Sequence, residues 1–343
     1  MPTTATLMLL LSIAMGTVIT MSSHHWLTAW AGLELNTLAM LPIISKTKHP
    51  RAIEAATKYF LTQAVASCLL LASSMVNAWQ TGSWDILQMT NKLTSTTMTI
   101  ALVMKAGAVP LHFWLPEVMQ GSTLYTTMLI STWQKIAPMT LLYSMSNHMQ
   151  PIITITLGVL STTFGGWGGI NQTQLRKMMA YSSIANLGWA LMMTPFEPNM
   201  FAISILVYIL MMMPTFPLLA MMATKTLQNL SASWTTSPTG TTTLMILLLS
   251  IAGLPPLTGF LPKLLILNEL VAQNLTPIAT MTAMTSLLSL AFYLRTAYMT
   301  TLITSPASTT SSMKWRHPIA KTKAMTLAPT SISSATALPT IIP

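Results

Sequence analysis

Apolar runs close to the length of one bilayer crossing follow each other along almost the whole chain. They fall at 5–22, 26–45, 52–79, 93–119, 122–146, 150–170, 175–195, 199–223, 241–270, 276–303 and 322–342. About 20 apolar residues let a helix cross a hydrocarbon core of roughly 30 Å. Lipid offers no hydrogen-bond partners, so spanning backbone must be helical or closed into a barrel. These runs are continuous rather than alternating, which selects helices. The chain is therefore predicted to be an all-α polytopic membrane protein with about eleven transmembrane helices. Its charged residues make up 6% of the sequence, against about 25% in a soluble domain. A single transmembrane domain is expected over 1–343, with approximate repeats at 1–146 and 150–303 and a C-terminal helix at 322–342.

Cys68 is the one cysteine, which excludes an internal disulfide or an iron–sulfur cluster held by this chain alone. It reads as a small apolar filler within a helix. The start, Met1-Pro2-Thr3-Thr4-Ala5-Thr6, has no Arg-rich presequence, so the first run is expected to stay as a spanning helix. The net charge is +10, and in a chain of this kind it bears on membrane sidedness rather than on nucleic acid. With the spans as drawn, loops on the N-terminal face carry Lys46, Lys48, Arg51, Arg176, Lys177, Lys225, Lys314, Arg316, Lys321 and Lys323, whereas the opposite face carries only Lys92. The N-terminus is expected on the cytoplasmic or matrix side.

Setting the loop charges aside leaves Glu34, Lys58, Lys105, Lys135, Lys263 and Arg295 inside spans, with Glu54, Glu117 and Glu269 near span ends. A charge at mid-membrane costs about 2.5–3.5 kcal/mol on insertion scales, so it is rarely present without a function or a partner. At about 1.5 Å per residue, Glu34, Lys105 and Lys135 lie roughly 12–20 Å from one end of their spans. Lys58 lies nearer the basic face, where it either snorkels or takes part in the buried chemistry. Arg295 is deep but holds its proton at ordinary pH, so it reads as a fixed partner. Asp85 and Glu197 read as solvated loop charges.

Two spans are interrupted. Met104-Lys105-Ala106-Gly107-Ala108-Val109-Pro110-Leu111-His112-Phe113-Trp114-Leu115-Pro116-Glu117 lies in the fourth, and Ala252-Gly253-Leu254-Pro255-Pro256-Leu257-Thr258-Gly259-Phe260-Leu261-Pro262-Lys263 in the ninth. Proline removes a helix hydrogen bond and clashes with the preceding turn. Broken backbone at membrane depth is tolerated where it is buried in protein or lines a wet cavity. Each break adjoins a buried lysine. An odd offset inverts orientation, and paired interrupted helices in an inverted repeat of five-helix units point to an ion pathway. His112 either relays protons through its break or hydrogen-bonds carbonyls freed there. Gly165-Gly166-Trp167-Gly168-Gly169 lacks the spacing of a nucleotide loop. A haem held by two histidines would need a second one at facing depth. No metal or cofactor site is expected.

Several segments together carry a resemblance: Gly32-Leu33-Glu34-Leu35-Asn36, His49-Pro50-Arg51-Ala52-Ile53-Glu54-Ala55-Ala56-Thr57-Lys58-Tyr59-Phe60, Pro110 to Glu117, Asn171-Gln172-Thr173-Gln174-Leu175-Arg176-Lys177, and Gly253 to Lys263. The chain closely resembles, over nearly its whole length, the chain 2 family of mitochondrial NADH:ubiquinone oxidoreductase, respiratory complex I. The resemblance implies an organelle-encoded, antiporter-like membrane-arm subunit of the inner mitochondrial membrane. Its N-terminus would face the matrix and its C-terminus the intermembrane space. It implies that Glu34, Lys105, Lys135 and Lys263 carry proton translocation. It also implies partners among the other membrane-arm subunits, with lipid (cardiolipin included), water and protons. NADH, FMN, iron–sulfur clusters and ubiquinone would serve other subunits. One departure is Asn186, where related sequences often carry histidine.

The mechanism so implied is electrostatic. Glu34 and Lys105 pair at rest, with an interaction of nearly 3 kcal/mol at about 6 Å and an effective dielectric near 20. Closing the pair holds the proton on Lys105. Opening it releases the proton along water to Lys135 and then to Lys263 beside the second break. Two other readings use the same residues: a stand-alone cation/proton antiporter, and a scaffold whose buried charges are structural.

Overall fold

The computed structural model describes residues 3–89, 91–233, 238–255 and 257–302, and among them every regular element is helical. The helices are α1 (Thr3–Ser22), α2 (Trp26–Ile44), α3 (Pro50–Thr81), α4 (Lys92–Ala106), α5 (Trp114–Gly121), α6 (Leu124–Ser131), α7 (Trp133–Ser144), α8 (Pro151–Ile170), α9 (Leu175–Met193), α10 (Pro198–Met221), α11 (Leu227–Ala232), α12 (Pro238–Ala252), α13 (Phe260–Ala272) and α14 (Thr276–Leu302). Among the described residues, six helices are, by length and composition, apolar and long enough to cross a membrane. The expected spans 93–119, 122–146 and 241–270 each appear as two shorter helices in succession: α4 with α5, α6 with α7, and α12 with α13. The expected helix at 322–342 lies outside the described residues, as does Pro256 in the second break.

Local chemistry sets where the helices begin and end. Pro50 opens α3 at a position whose N–H has no helical partner to lose. The His49 side chain caps the same end by accepting from the Arg51 N–H at 3.3 Å. Asn91 caps α4 through its side-chain oxygen, which accepts from the Leu93 N–H at 3.0 Å. At the other ends, α3, α4 and α12 stop at Gly82, Gly107 and Gly253, with φ of 71°, 83° and 82°. Glycine adopts that left-handed conformation without a Cβ clash.

Outward faces are apolar, as lipid requires. On α1, Leu7, Met8, Leu11 and Met15 are all exposed. The lone Cys68 is also exposed.

The chain divides into two compact units. One comprises Met1–Ser161 with Leu187–Ala202, and the other Thr162–Asn186 with the described residues from Ile203 onward. In the first unit α1 lies along α2 at a close approach made by two glycines. A Cβ on Gly32 would sit 2.9 Å from the Gly16 carbonyl oxygen, and one on Gly16 would sit 2.9 Å from the Gly32 carbonyl oxygen. Small residues at such a crossing are how membrane helices gain packing where lipid supplies no hydrophobic drive. Gly32→Ala is expected to force the pair apart and destabilise by about 1–3 kcal/mol, read as a lower thermal unfolding midpoint of the detergent-solubilised protein. In the same unit α3 packs against α4 and α5, and α4 against α7. In the second unit α14 packs against α11, α12 and α13.

Candidate functional site

The buried charges are set on helix ends that the breaks create. Lys105 is the penultimate residue of α4 and is 6% exposed. Its Nζ lies 3.5 Å from Glu34 Oε1 on α2, closer than the spacing expected from sequence. At an effective dielectric near 20 the gross attraction is about 5 kcal/mol before desolvation. The separation is nevertheless long for a charge-assisted hydrogen bond, which prefers about 2.7–2.9 Å. The pair is thus strongly coupled by charge and loosely held by geometry. The Thr37 hydroxyl lies 3.1 Å from the second Glu34 carboxylate oxygen and 2.8 Å from the Glu34 backbone carbonyl, offering one proton to two acceptors.

The Lys105 backbone is fixed as well. Its carbonyl belongs to the last turn of α4 and has lost its helical donor. The Gln63 amide of α3 donates to it at 3.3 Å. Beyond Gly107 the chain leaves the helix until Trp114 opens α5. His112 lies in that gap and is 4% exposed. Its ring stacks against Phe113 at 4.2 Å and hydrogen-bonds the freed carbonyl of Pro110.

Lys135 stands in the first turn of α7, 2% exposed. Just before it Thr132 separates α6 from α7, and its hydroxyl donates to the Met128 carbonyl at 2.7 Å. Lys105 and Lys135 both line one cavity of about 20 Å³, together with Asn36, Gln63 and Gln134. That volume is enough for ordered water where polar partners converge. This cavity, with the amides around it, joins residues that sequence reasoning treated only through their charges. The signal was there: Asn36 and Gln63 are polar side chains inside apolar runs.

Lys263 belongs to the second unit and has a different setting. It sits in the first turn of α13, 9% exposed. Its Nζ donates to the Ala252 carbonyl, the last of α12, at 2.6 Å. A cation there complements the negative end of the α12 dipole. Arg295 likewise binds carbonyls, with its guanidinium donating to Ile170 O at 2.6 Å and Gln172 O at 3.3 Å at the end of α8. It is a fixed cap on a helix end, in keeping with the sequence expectation. Asn186 donates to the Ser182 carbonyl at 3.0 Å within its own helix. Lys58 bridges Glu54 at 2.5 Å and Glu117 at 2.6 Å, all three substantially exposed. That contact ties α5, after the break, back to α3.

The chain is similar to several known proteins. A family model described as NADH:quinone oxidoreductase/Mrp antiporter, TM, matches residues 23–289. A second, described as NADH dehydrogenase subunit 2 C-terminus, matches residues 290–343. The NADH-ubiquinone oxidoreductase chain 2 of Xenopus laevis is 51% identical over 308 residues, covering 90% of this chain and 89% of that protein. Among solved structures, a chain of respiratory complex I from Thermus thermophilus superposes with a TM-score of 0.79 at 23% identity, covering 96% of this chain and 78% of that one. A chain of the Mrp complex from Dietzia gives a TM-score of 0.79 at 15% identity, covering 97% and 78%.

Proposed function

Because the chain belongs to the NADH-ubiquinone oxidoreductase chain 2 family of NADH:quinone oxidoreductase/Mrp antiporter membrane proteins, we propose that it is a core membrane subunit of a proton-pumping NADH:ubiquinone oxidoreductase. It sits in the inner mitochondrial membrane with its N-terminus toward the matrix. It moves protons while other subunits, which hold NADH, FMN, iron–sulfur clusters and ubiquinone, carry the electrons. The basic loops at Lys46, Lys48 and Arg51 suit anionic headgroups, cardiolipin among them.

The observation that carries this reading is the ion pair of Lys105 with Glu34, whose lysine opens onto a cavity that Lys135 also lines. A closed pair holds the proton on Lys105. When Glu34 withdraws or gains a proton, the charged amine loses its counter-ion in a site shielded from water, and the proton passes toward Lys135. Lys263 is the next carrier, and quinone reduction elsewhere supplies the driving energy. His112 is a relay at the first break or holds that break in shape.

Lys135→Met tests the assignment, since it keeps an unbranched side chain only one atom shorter and removes the charge. The complex is expected to assemble, with proton pumping lowered by roughly tenfold or more. Normal assembly with an unchanged proton-to-electron ratio would show that the buried lysine is structural.

A further inference from the structure

Asn36 is buried on α2, 2% exposed, two residues beyond Glu34. Neither its Nδ2 nor its Oδ1 has a hydrogen-bond partner among the described residues. Such an amide is unusual, because a buried polar group without a partner carries its full desolvation penalty. The side chain is wedged beside Gly16, whose missing Cβ leaves room for it. It lines the cavity shared by Lys105 and Lys135. Gln134 lines the same cavity, and its Nε2 is also buried with no partner among the described residues. Two donor-bearing amides therefore face one small space flanked by two lysines.

We propose that Asn36 is a positioning residue for proton transfer: its amide, with that of Gln134, binds ordered water in this cavity and fixes its orientation between Lys105 and Lys135. This rests on the reading of those lysines as carriers. An amide does not titrate near neutral pH, so Asn36 does not itself take the proton. It offers one donor and one acceptor side, which sets how a bound water points. The proton leaves one ammonium for the water, and the water yields a proton to the next amine, so the chain of bonds closes without any other reactant. A water held in this way needs polar partners on several sides, and the cavity supplies them.

The test compares Asn36→Leu, Asn36→Ser and Gln134→Met with Lys135→Met in the intact complex. Turnover, proton-to-electron ratio and solvent deuterium isotope effect are measured for each, and a map resolving waters is obtained for the unaltered complex. Asn36→Leu keeps the branched shape and number of heavy atoms, in a somewhat bulkier side chain, without hydrogen bonding. It is expected to assemble, lose several-fold in coupled turnover and show a larger isotope effect. Asn36→Ser should recover most of the loss, which a packing role alone would not predict. The map should show density within hydrogen-bonding distance of the Asn36 amide. Full turnover and an unchanged isotope effect in Asn36→Leu, alongside an impaired Lys135→Met, would overturn this inference and leave the lysine assignment standing. If Lys135→Met were also normal, the assignment itself would fall. Should Asn36→Leu not assemble, Gln134→Met and the map decide: normal turnover with no density at the amide overturns the proposal.

Discussion

Replacing Lys105 with alanine is expected to abolish coupled proton translocation and to weaken the fold around α2 and α4. Both effects follow from the same contact. Nζ faces Glu34 Oε1 at 3.5 Å, and the side chains are 2% and 23% exposed. Removing one partner of a buried pair leaves the other charge uncompensated, at about 3–5 kcal/mol. The residual exposure of Glu34 places the expected loss at or below the lower end of that range. Stability and chemistry separate in the double variant Glu34→Gln/Lys105→Met. That variant carries no stranded carboxylate, so it should assemble better than Lys105→Ala while still failing to pump. Proton uptake per electron in proteoliposomes, with native-gel analysis of assembly, reads both quantities. A normal proton-to-electron ratio in Lys105→Ala would remove this lysine from the pathway.

Gly253→Val is expected to prevent stable accumulation of the chain, and Gly253→Ala to give an intermediate defect. Gly253 ends α12 at φ 82°. A non-glycine residue in left-handed conformation costs roughly 1–3 kcal/mol, and a β-branched one fits worst of all. The glycine also keeps space for the neighbouring lysine. A Cβ there would lie 2.9 Å from Lys263 Cδ and 3.0 Å from its Nζ. The lysine would have to move off the Ala252 carbonyl that it caps. Gly82→Ala is the control, because Gly82 has φ 71° but nothing within 4 Å of an added Cβ. Both alanine variants should lower the thermal unfolding midpoint, and only Gly253→Ala should also lower pumping. Equal behaviour of the two would mean that the lysine's position is unimportant.

The helical membrane fold was legible because lipid leaves the backbone few choices, and continuous apolar runs mark where it crosses. The breaks at Gly107 and Gly253 were legible for a similar reason: glycine beside proline inside an apolar run has few other uses. The interruption at Thr132 was not. Its segment has Pro138 but no neighbouring glycine, and the helix resumes after a single residue. Charges stood out against hydropathy, so Glu34, Lys105, Lys135 and Lys263 were found. Amides stand out less against hydropathy, so nothing in the sequence assigns Asn36, Gln63 and Gln134 to the cavity that two of the lysines line. The bridge from Lys58 to Glu117 joins α3 to α5. Such a contact depends on how helices pack, and helix periodicity carries no information about it. The carbonyl partners of Arg295 were hidden for the same reason.

The two lysines beside the breaks differ in a contact that each makes, and that difference bears on how each site can be regulated. The partner of Lys105 is a side chain, and a side chain can rotate, titrate or be deleted. Lys263 Nζ donates to a main-chain oxygen of α12. That oxygen never changes its charge, and it moves only if the helix end unwinds. A signal arriving from a neighbouring subunit therefore has an adjustable handle at the first lysine. At the second, the carbonyl contact itself contains no group that titrates.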